Sequence, residues 1–320
     1  MFKSIVIYRI SPGWEQPAVE RLDEALVSRR FVACGPTQME SHGFVEPRGQ
    51  DHGAMVESVA GQLILRIRSE SKGVPAAVVK ERLDERVALI EKETGRKPGS
   101  KQKKELKEEI VFDLLPYAFS KKSGTSVWID AEAGLLIVGA GSVRRADQVS
   151  SLLVETLDKA GAPMVLRLLQ TTVSPATAMA DWLATQEPPA GFGVDRECEL
   201  KQPDDVKSAV RYSRHNLEID EVVEHIRQGK VPTHLALTWE GRVSFVLTDD
   251  LTLRKLDFID GAVHEAQAND DDFDADVAIA TAELSRLIPQ LIEALGGEMA
   301  LGGGAAVAPP AVLGVSLKAA

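Results

Sequence analysis

The 320-residue chain reads as an α+β protein, with mixed sheets, packed helices and a helical hairpin that projects from them. Three observations predict this. Short alternating segments and helical segments mix along the chain without strict strand–helix–strand alternation. A hydrophobic share of 44% beside 27% charged residues is enough to bury the core of one large domain or of two to three small ones. The stretch from Pro75 to Phe119 carries two helical periods, each with a narrow apolar stripe in otherwise charged sequence.

The elements follow in order. Phe2 to Ile10 reads as a strand, and Pro17 to Ser28 as a helix with Val19, Leu22, Ala25 and Leu26 on one face. In Gly61 to Arg68 the apolar Leu63, Leu65 and Ile67 alternate against Arg66 and Arg68, as in a strand. Pro75 occupies a first-turn position, and Val79, Leu83, Val87 and Ile90 follow at helical spacing. Gly95 and Lys97–Pro98–Gly99 break this helix. Ser100 is placed to cap a second one, with Leu106, Ile110 and Leu114 at four-residue steps. Pro116 ends it.

Ser126–Asp130 and Gly134–Val138 read as a β-hairpin, Arg144–Lys159 as a helix, and Met164–Gln170 as a strand. Ser174–Pro175 is a cap-plus-proline helix start. Glu187 to Gly191, with two prolines, is a turn or linker and a candidate domain boundary. Strands at Val206–Ser213, Thr233–Thr238, Arg242–Thr248 and Leu253–Ile259 follow, with a short helix at Asp220–Gln228 after the first. The last helix, Asp274–Leu295, contains Pro289, which should kink it, and Gly296–Gly297 stop it.

Composition narrows the function. Aromatics at 5% weigh against a surface built from base-stacking platforms. Cys34 and Cys198 lack metal-ligand spacing and fit a reducing compartment. The N-terminus lacks the features of a secretory signal, and no stretch approaches the roughly 20 apolar residues of a membrane helix. A cytoplasmic location is expected.

The net charge of −11 argues at first sight against nucleic acid. Its distribution matters more. Lys72 to Lys122 holds 13 Lys/Arg against 9 Asp/Glu, whereas Asp257 to Glu298 holds 11 acids against Arg286 alone. Arg96, Lys97, Lys101, Lys103, Lys104 and Lys107 fall within twelve residues, opposed only by Glu105. Six phosphate contacts there would give a log–log salt slope near ~5. A solvated face that keeps a thin hairpin soluble is the other reading of the same residues. The cluster has no aromatic side chain for base edges, so any DNA contact would be to the backbone. A smaller basic group comprises Lys207, Arg211, Arg214 and His215; on the residues alone, a charged, protected edge strand is the favoured explanation over a binding site. Phe119, flanked by Ser120, Lys121 and Lys122, either folds onto the core or is a knob for a partner subunit.

Enzyme signals are weak. Gly139–Ala140–Gly141 precedes a helix, but Arg144 stands where a dinucleotide turn needs a third glycine. Asp272, Asp274, Asp276 and Glu283 have calcium-loop spacing, with Val277 in place of the turn glycine. No nucleophile has a recognisable base. Neither a cofactor nor a metal is expected, nor an enzymatic activity.

An ordered set of segments resembles the RdgC family of recombination-associated proteins. It runs through Arg30–Phe31–Val32–Ala33–Cys34–Gly35, Val59–Ala60–Gly61–Gln62, Leu114 to Ser120, Trp128–Ile129–Asp130 and Gly134–Leu135. It continues with His225–Ile226, Gly229–Lys230–Val231, Leu235–Ala236–Leu237, Phe273 to Asp276 and Leu291 to Glu298. The resemblance implies a ring-shaped homodimer that encircles double-stranded DNA without sequence preference and limits access of the RecA recombinase, in the nucleoid; single-stranded DNA is a further candidate partner. It places the hydrophobic gate on Phe119, a basic hairpin position on Arg96, and a second basic site on Arg214 and His215, where the family has Lys and Gln. Tyr117 stands where the family has Arg, which shifts weight to Lys121 and Lys122. The expected organisation is a central α+β domain from 1–74 plus 120–170, a hairpin tip at 75–119, an α+β base domain at 171–298 and a disordered tail at 299–320. A regulator of recombination that works through protein contacts, its DNA binding incidental, is the alternative.

Overall fold

The computed structural model describes residues 2–203, 208–259 and 270–299, with the backbone alone at 270–272. In chain order the elements are β1 (Ser4–Ile10), α1 (Val19–Val27), β2 (Glu40–Val45), β3 (Val56–Val59), β4 (Gln62–Lys72), α2 (Ala76–Thr94), α3 (Ser100–Leu114) and β5 (Ser120–Asp130). Then come β6 (Leu135–Val138), α4 (Val143–Lys159), β7 (Leu166–Leu168), α5 (Pro175–Thr185), β8 (Phe192–Lys201) and β9 (Ala209–Ser213). The chain ends with α6 (Asp220–Arg227), β10 (Val231–Trp239), β11 (Val243–Thr248), β12 (Leu253–Phe258) and α7 (Asp270–Ala294). This is an α+β protein.

Two compact units emerge. The terminal unit takes Met1–Gly13, Ile129–Ser150 and Val165–Ala320; the hairpin unit takes Trp14–Trp128 and Ser151–Met164. In the terminal unit β1 is central. It pairs antiparallel with β6 on one side, and with β12 and β7 on the other. From β12 the order runs β11, β10, β8 and β9, again antiparallel, with β9 at the edge. Ile5, Val6 and Ile7 of β1 are buried, as are Leu235, Leu237 and Trp239 of β10 and Leu284, Leu287 and Leu291 of α7. Each such side chain contributes about 1.5–3 kcal/mol when removed from water. The Trp239 indole N–H donates to the Gln290 amide oxygen at 2.8 Å, and the Tyr8 hydroxyl donates to Asp147 at 2.7 Å, so the polar ends of these two buried rings are satisfied.

The hairpin unit is built on β4, which pairs antiparallel with β2 and β3 and lies beside β5. Helix α1 packs against β3, and its Asp23 carboxylate accepts the Met55 backbone N–H at 2.6 Å. Gly43 of β2 faces the passing Arg29–Phe31 segment so closely that a Cβ would lie 2.4 Å from the Phe31 Cα. Only glycine fits there.

Sequence and structure differ at several boundaries. Pro75 and Gly99 are the residues before α2 and α3, so Ser100 is the first residue of α3 rather than its cap. The extended Gly99 already turns the chain, and its carbonyl accepts the Lys103 N–H. Ser174 does cap α5, its hydroxyl accepting the Thr177 N–H at 3.2 Å. Strand β5 starts six residues before the expected Ser126, because β4 offers its Ser120–Thr125 stretch a partner. Strands β2, β3 and β8 lay outside the expected set. The acids Asp272, Asp274 and Asp276 lie within helix α7, not in a loop; residues two apart on a helix point in different directions, which removes the calcium-loop arrangement. The Asp272 side chain lies outside the described residues. Glu283 is taken by Arg242 at 2.9 Å. The glycine turn at 139–141 does join β6 to α4, but β6 runs antiparallel to β1, whereas a dinucleotide fold needs parallel strands.

Candidate nucleic-acid interface

Helices α2 and α3 form an antiparallel pair in the hairpin unit. Glu, Lys and Leu recur in both, joined by Ala and Arg in α2, which favours helix without tertiary help. Only Val79 on α2 and Ile110 on α3 are buried, while Leu89 and Phe112 are more than half exposed. This is the burial of a projecting hairpin rather than of core helices. Gly95 closes α2 in the left-handed conformation, φ 70°, with its N–H on the Glu91 carbonyl at 2.8 Å. The Thr94 hydroxyl donates to the Ile90 carbonyl at 2.7 Å.

This turn exposes the whole basic cluster. Arg96, Lys97, Lys101, Lys103, Lys104 and Lys107 are all exposed. Lys97 stands 3.8 Å from Glu91 and Lys104 4.0 Å from Glu108, both loose surface pairs. Arg96, Lys101, Lys103 and Lys107 have no carboxylate partner among the described residues. Four cations are therefore left to attract an anion.

After α3 a 3-10 turn, Leu115–Tyr117, anchors on the buried Leu115. Ala118 is extended, and the chain throws Tyr117 and Phe119 outwards, 84% and 94% exposed. The fold-back fate weighed for Phe119 is thus not adopted in this chain. Lys121 and Lys122 follow on β5, both exposed and without an ion pair among the described residues. Beside α3 lies an apolar groove of ≈ 450 Å³ lined by Met39, Val111, Phe112 and Leu115, with Lys104 and Lys107 at its rim. Sequence reading missed it because Met39 comes from a loop far from α3 in the chain.

The second basic group lies in the terminal unit and is differently held. Lys207 lies outside the described residues. Arg211 is on edge strand β9 and donates from Nε to Glu199 of β8 at 2.9 Å. The Glu199 side chain is 8% exposed and also receives Lys201 and, at 3.1 Å, the Thr233 hydroxyl. Lys201 above all, and then Arg211 and Thr233, pull its carboxyl from 4.5 down to about 2, against the opposing effect of burial. Arg214 sits past the strand in the left-handed conformation, φ 55°, and is exposed. The His215 ring nitrogen Nδ1 bonds the Asn216 carbonyl at 2.7 Å, and its ring stands 5.7 Å from that of Tyr212. Glu199 was invisible as a partner because β8 was not recognised as a strand.

Known proteins resemble the sequence of this chain. A family model described as "RdgC: Putative exonuclease, RdgC" matches residues 1–298. The chain belongs to the RdgC family. It is 43% identical over 305 residues to the recombination-associated protein RdgC of Dechloromonas aromatica (strain RCB), covering 93% of this chain and 98% of that protein. The RdgC of Janthinobacterium sp. (strain Marseille) is 42% identical over 302 residues, covering 93% and 98%. That of Bordetella pertussis (strain Tohama I) is 39% identical over 301 residues, with the same coverage. Among the described residues no helix is long and apolar enough to cross a membrane.

Proposed function

We propose that the chain is a sequence-nonspecific binder of double-stranded DNA that encircles the duplex as a ring-shaped homodimer, takes single strands as a secondary ligand, and modulates recombination by limiting RecA access. The observation that carries this is the exposed turn in which Arg96, Lys101, Lys103 and Lys107 lack carboxylate partners among the described residues. With Lys97, Lys104, Lys121 and Lys122 they supply backbone contacts, and Lys207, Arg211, Arg214 and His215 a second, weaker set. Phe119 closes the ring against the partner copy. Residues 1–74 with 120–170 act as the central domain, 75–119 as the tip and 171–298 as the base. The protein works by occupancy in the nucleoid and catalyses no reaction; nuclease assays with divalent metal and labelled ends should show no loss of label.

The test is a salt titration of binding to one duplex and one single strand of equal length, beside a mass measurement in solution. A steep negative slope on the duplex and a dimer mass are expected. A flat slope would overturn the DNA reading. The exposed Tyr117–Phe119 pair favours one alternative, a regulator acting through protein contacts. Inhibition of strand exchange by a variant that no longer binds DNA would support that alternative.

A further inference from the structure

A second cationic surface lies on the sheet of the hairpin unit, apart from the hairpin turn. In β4, Arg66 and Arg68 are exposed while Leu65, Ile67 and Ser69 are buried. The two side chains therefore leave the same sheet face from backbone positions about 6.8 Å apart along the strand, the Arg66 guanidinium reaching over β5 and that of Arg68 towards Phe31, which passes Gly43 of β2. Both are held by packing rather than by acids. The Arg66 guanidinium lies across Gly124 of β5; a Cβ on that glycine would stand 2.9 Å from Nε and 3.0 Å from Nη2. The Arg68 guanidinium carbon stands 5.7 Å from the centre of the Phe31 ring. Neither arginine has a carboxylate partner among the described residues.

The acid nearest in the strand is occupied. Glu70 is 4% exposed and accepts the Cys34 N–H at 2.8 Å. The Ser120 hydroxyl and the Cys34 N–H hold its carboxyl below the usual range, and Lys122 and Lys72 add to this. Glu70 shares the face of Arg66 and Arg68, but its carboxylate is taken up by these donors, and Lys122 is exposed on the neighbouring strand. Lys72 donates to the Gly35 and Pro36 carbonyls at 2.9 and 3.3 Å and stays out of the surface. Two planar forks set on a rigid sheet, with a lysine alongside, present donors that need no reordering to meet phosphate oxygens.

We propose that this β4–β5 face, through Arg66, Arg68 and Lys122, is a further phosphate-contacting surface for the backbone of duplex DNA. It rests on the DNA-binding reading above and extends it to residues outside the hairpin turn. The two forks lean towards opposite neighbours of β4, so each meets a separate phosphate. No side chain here addresses base edges, so the contact is independent of sequence.

The full-length protein is tested by salt titration on one duplex, unaltered, as R66Q/R68Q, as R66K/R68K, and as the hairpin variant R96A/K101A/K104A. Losing two phosphate contacts should lower the slope by about 1.8 in R66Q/R68Q. R66K/R68K should keep nearly the parent slope, since each lysine retains the charge. The reductions from the sheet and hairpin variants should add. A parent-like slope in R66Q/R68Q, with a flattened slope in the hairpin variant, would overturn this surface and leave the DNA reading standing. Equal slope losses in the lysine and glutamine variants would also overturn it, because charge would then not be the cause. Absence of duplex binding by the unaltered protein would overturn both.

Discussion

The hairpin and the terminal unit both carry basic residues, and the two regions treat them oppositely. In the terminal unit, Arg9 faces Glu298, Arg211 and Lys201 face Glu199, Lys255 faces Glu197, Arg242 faces Glu283 and Arg286 faces Glu240. These cations serve the fold, linking strands to one another and to the last helix. On the hairpin, Arg96, Lys101, Lys103 and Lys107 face solvent alone. A net charge of −11 is thus compatible with an anion-binding surface. Arg96, Lys101, Lys103 and Lys107 fall within twelve residues in which Glu105 is the one acid, so the surplus of acids elsewhere does not set the charge of this turn. What matters for a polyanion is the local unpaired charge, within a Debye length of about 8–10 Å.

The largest expected effect breaks this comparison directly. Arg96→Ala with Lys101→Ala and Lys104→Ala should weaken duplex binding by roughly 10- to 100-fold at physiological salt and lower the salt slope by about 2.7, uniformly across sequences. Arg211→Ala should change affinity by less than about threefold, because its charge is already spent on Glu199. Fluorescence anisotropy at several salt concentrations reads both. Similar losses in the two variants would mean that ion pairing does not decide which cations reach DNA.

Phe119→Ala should come next. The side chain is 94% exposed, so folding stability should stay within about ±0.5 kcal/mol. The dimer should dissociate more readily, as followed by mass measurement on dilution, and retention on closed circular DNA should fall. A change in melting temperature without a change in dimer lifetime would identify Phe119 as a folding residue instead.

How far the sequence reveals this division depends on the kind of contact. The hairpin was legible because its signals are local: four-residue apolar steps, Gly95, the Lys97–Pro98–Gly99 break, and cations within one short stretch. Exposure at Phe119 was not legible, since the same Leu–Pro–Tyr–Ala–Phe run suits a buried or an exposed ring until Leu115 is seen as the anchor. Pairing of Arg211 was illegible for another reason. Strand β8, Phe192–Lys201, alternates charged residues with Cys198 and Leu200, and its Glu199 is buried against the usual preference of acids. In sequence Arg66 and Arg68 are the polar half of an alternating strand, and only Gly124 and Phe31, both distant in sequence, show what the guanidinium groups pack against.

Glu199→Gln sharpens the comparison from the other side. The neutral amide should lose its hold on Lys201 and Arg211, with a stability loss of roughly 1–3 kcal/mol at neutral pH. The native carboxyl titrates near 2 rather than 4.5, so its stabilisation is fully present above about 4.5 and disappears as pH falls towards 2. Thermal melts of parent and variant should therefore differ at pH 7 and converge over that acid window. Arg211, once released, should also bind the duplex slightly better. A variant whose deficit persists unchanged at pH 2 would show that shape, not charge, matters at Glu199.

The smallest effect concerns two glycines with the same backbone and opposite surroundings. Gly95 on the hairpin has φ 70° and open space where a Cβ would go. Gly296, after α7 in the terminal unit, has φ 79°, and its Cβ would stand 2.9 Å from Val173 Cγ2. Gly95→Ala should cost about 1 kcal/mol, from left-handed strain alone. Because the hairpin buries so little, that cost should appear as faster amide exchange at the end of α2 and leave the global melting temperature nearly unchanged. Gly296→Ala adds a steric clash to the same strain, within a unit whose strands and helices share a buried core, and should lower the global melting temperature. Equal thermal shifts in the two variants would show that the hairpin unfolds together with the rest of the molecule, and that its charges sit on a less independent element than its burial implies.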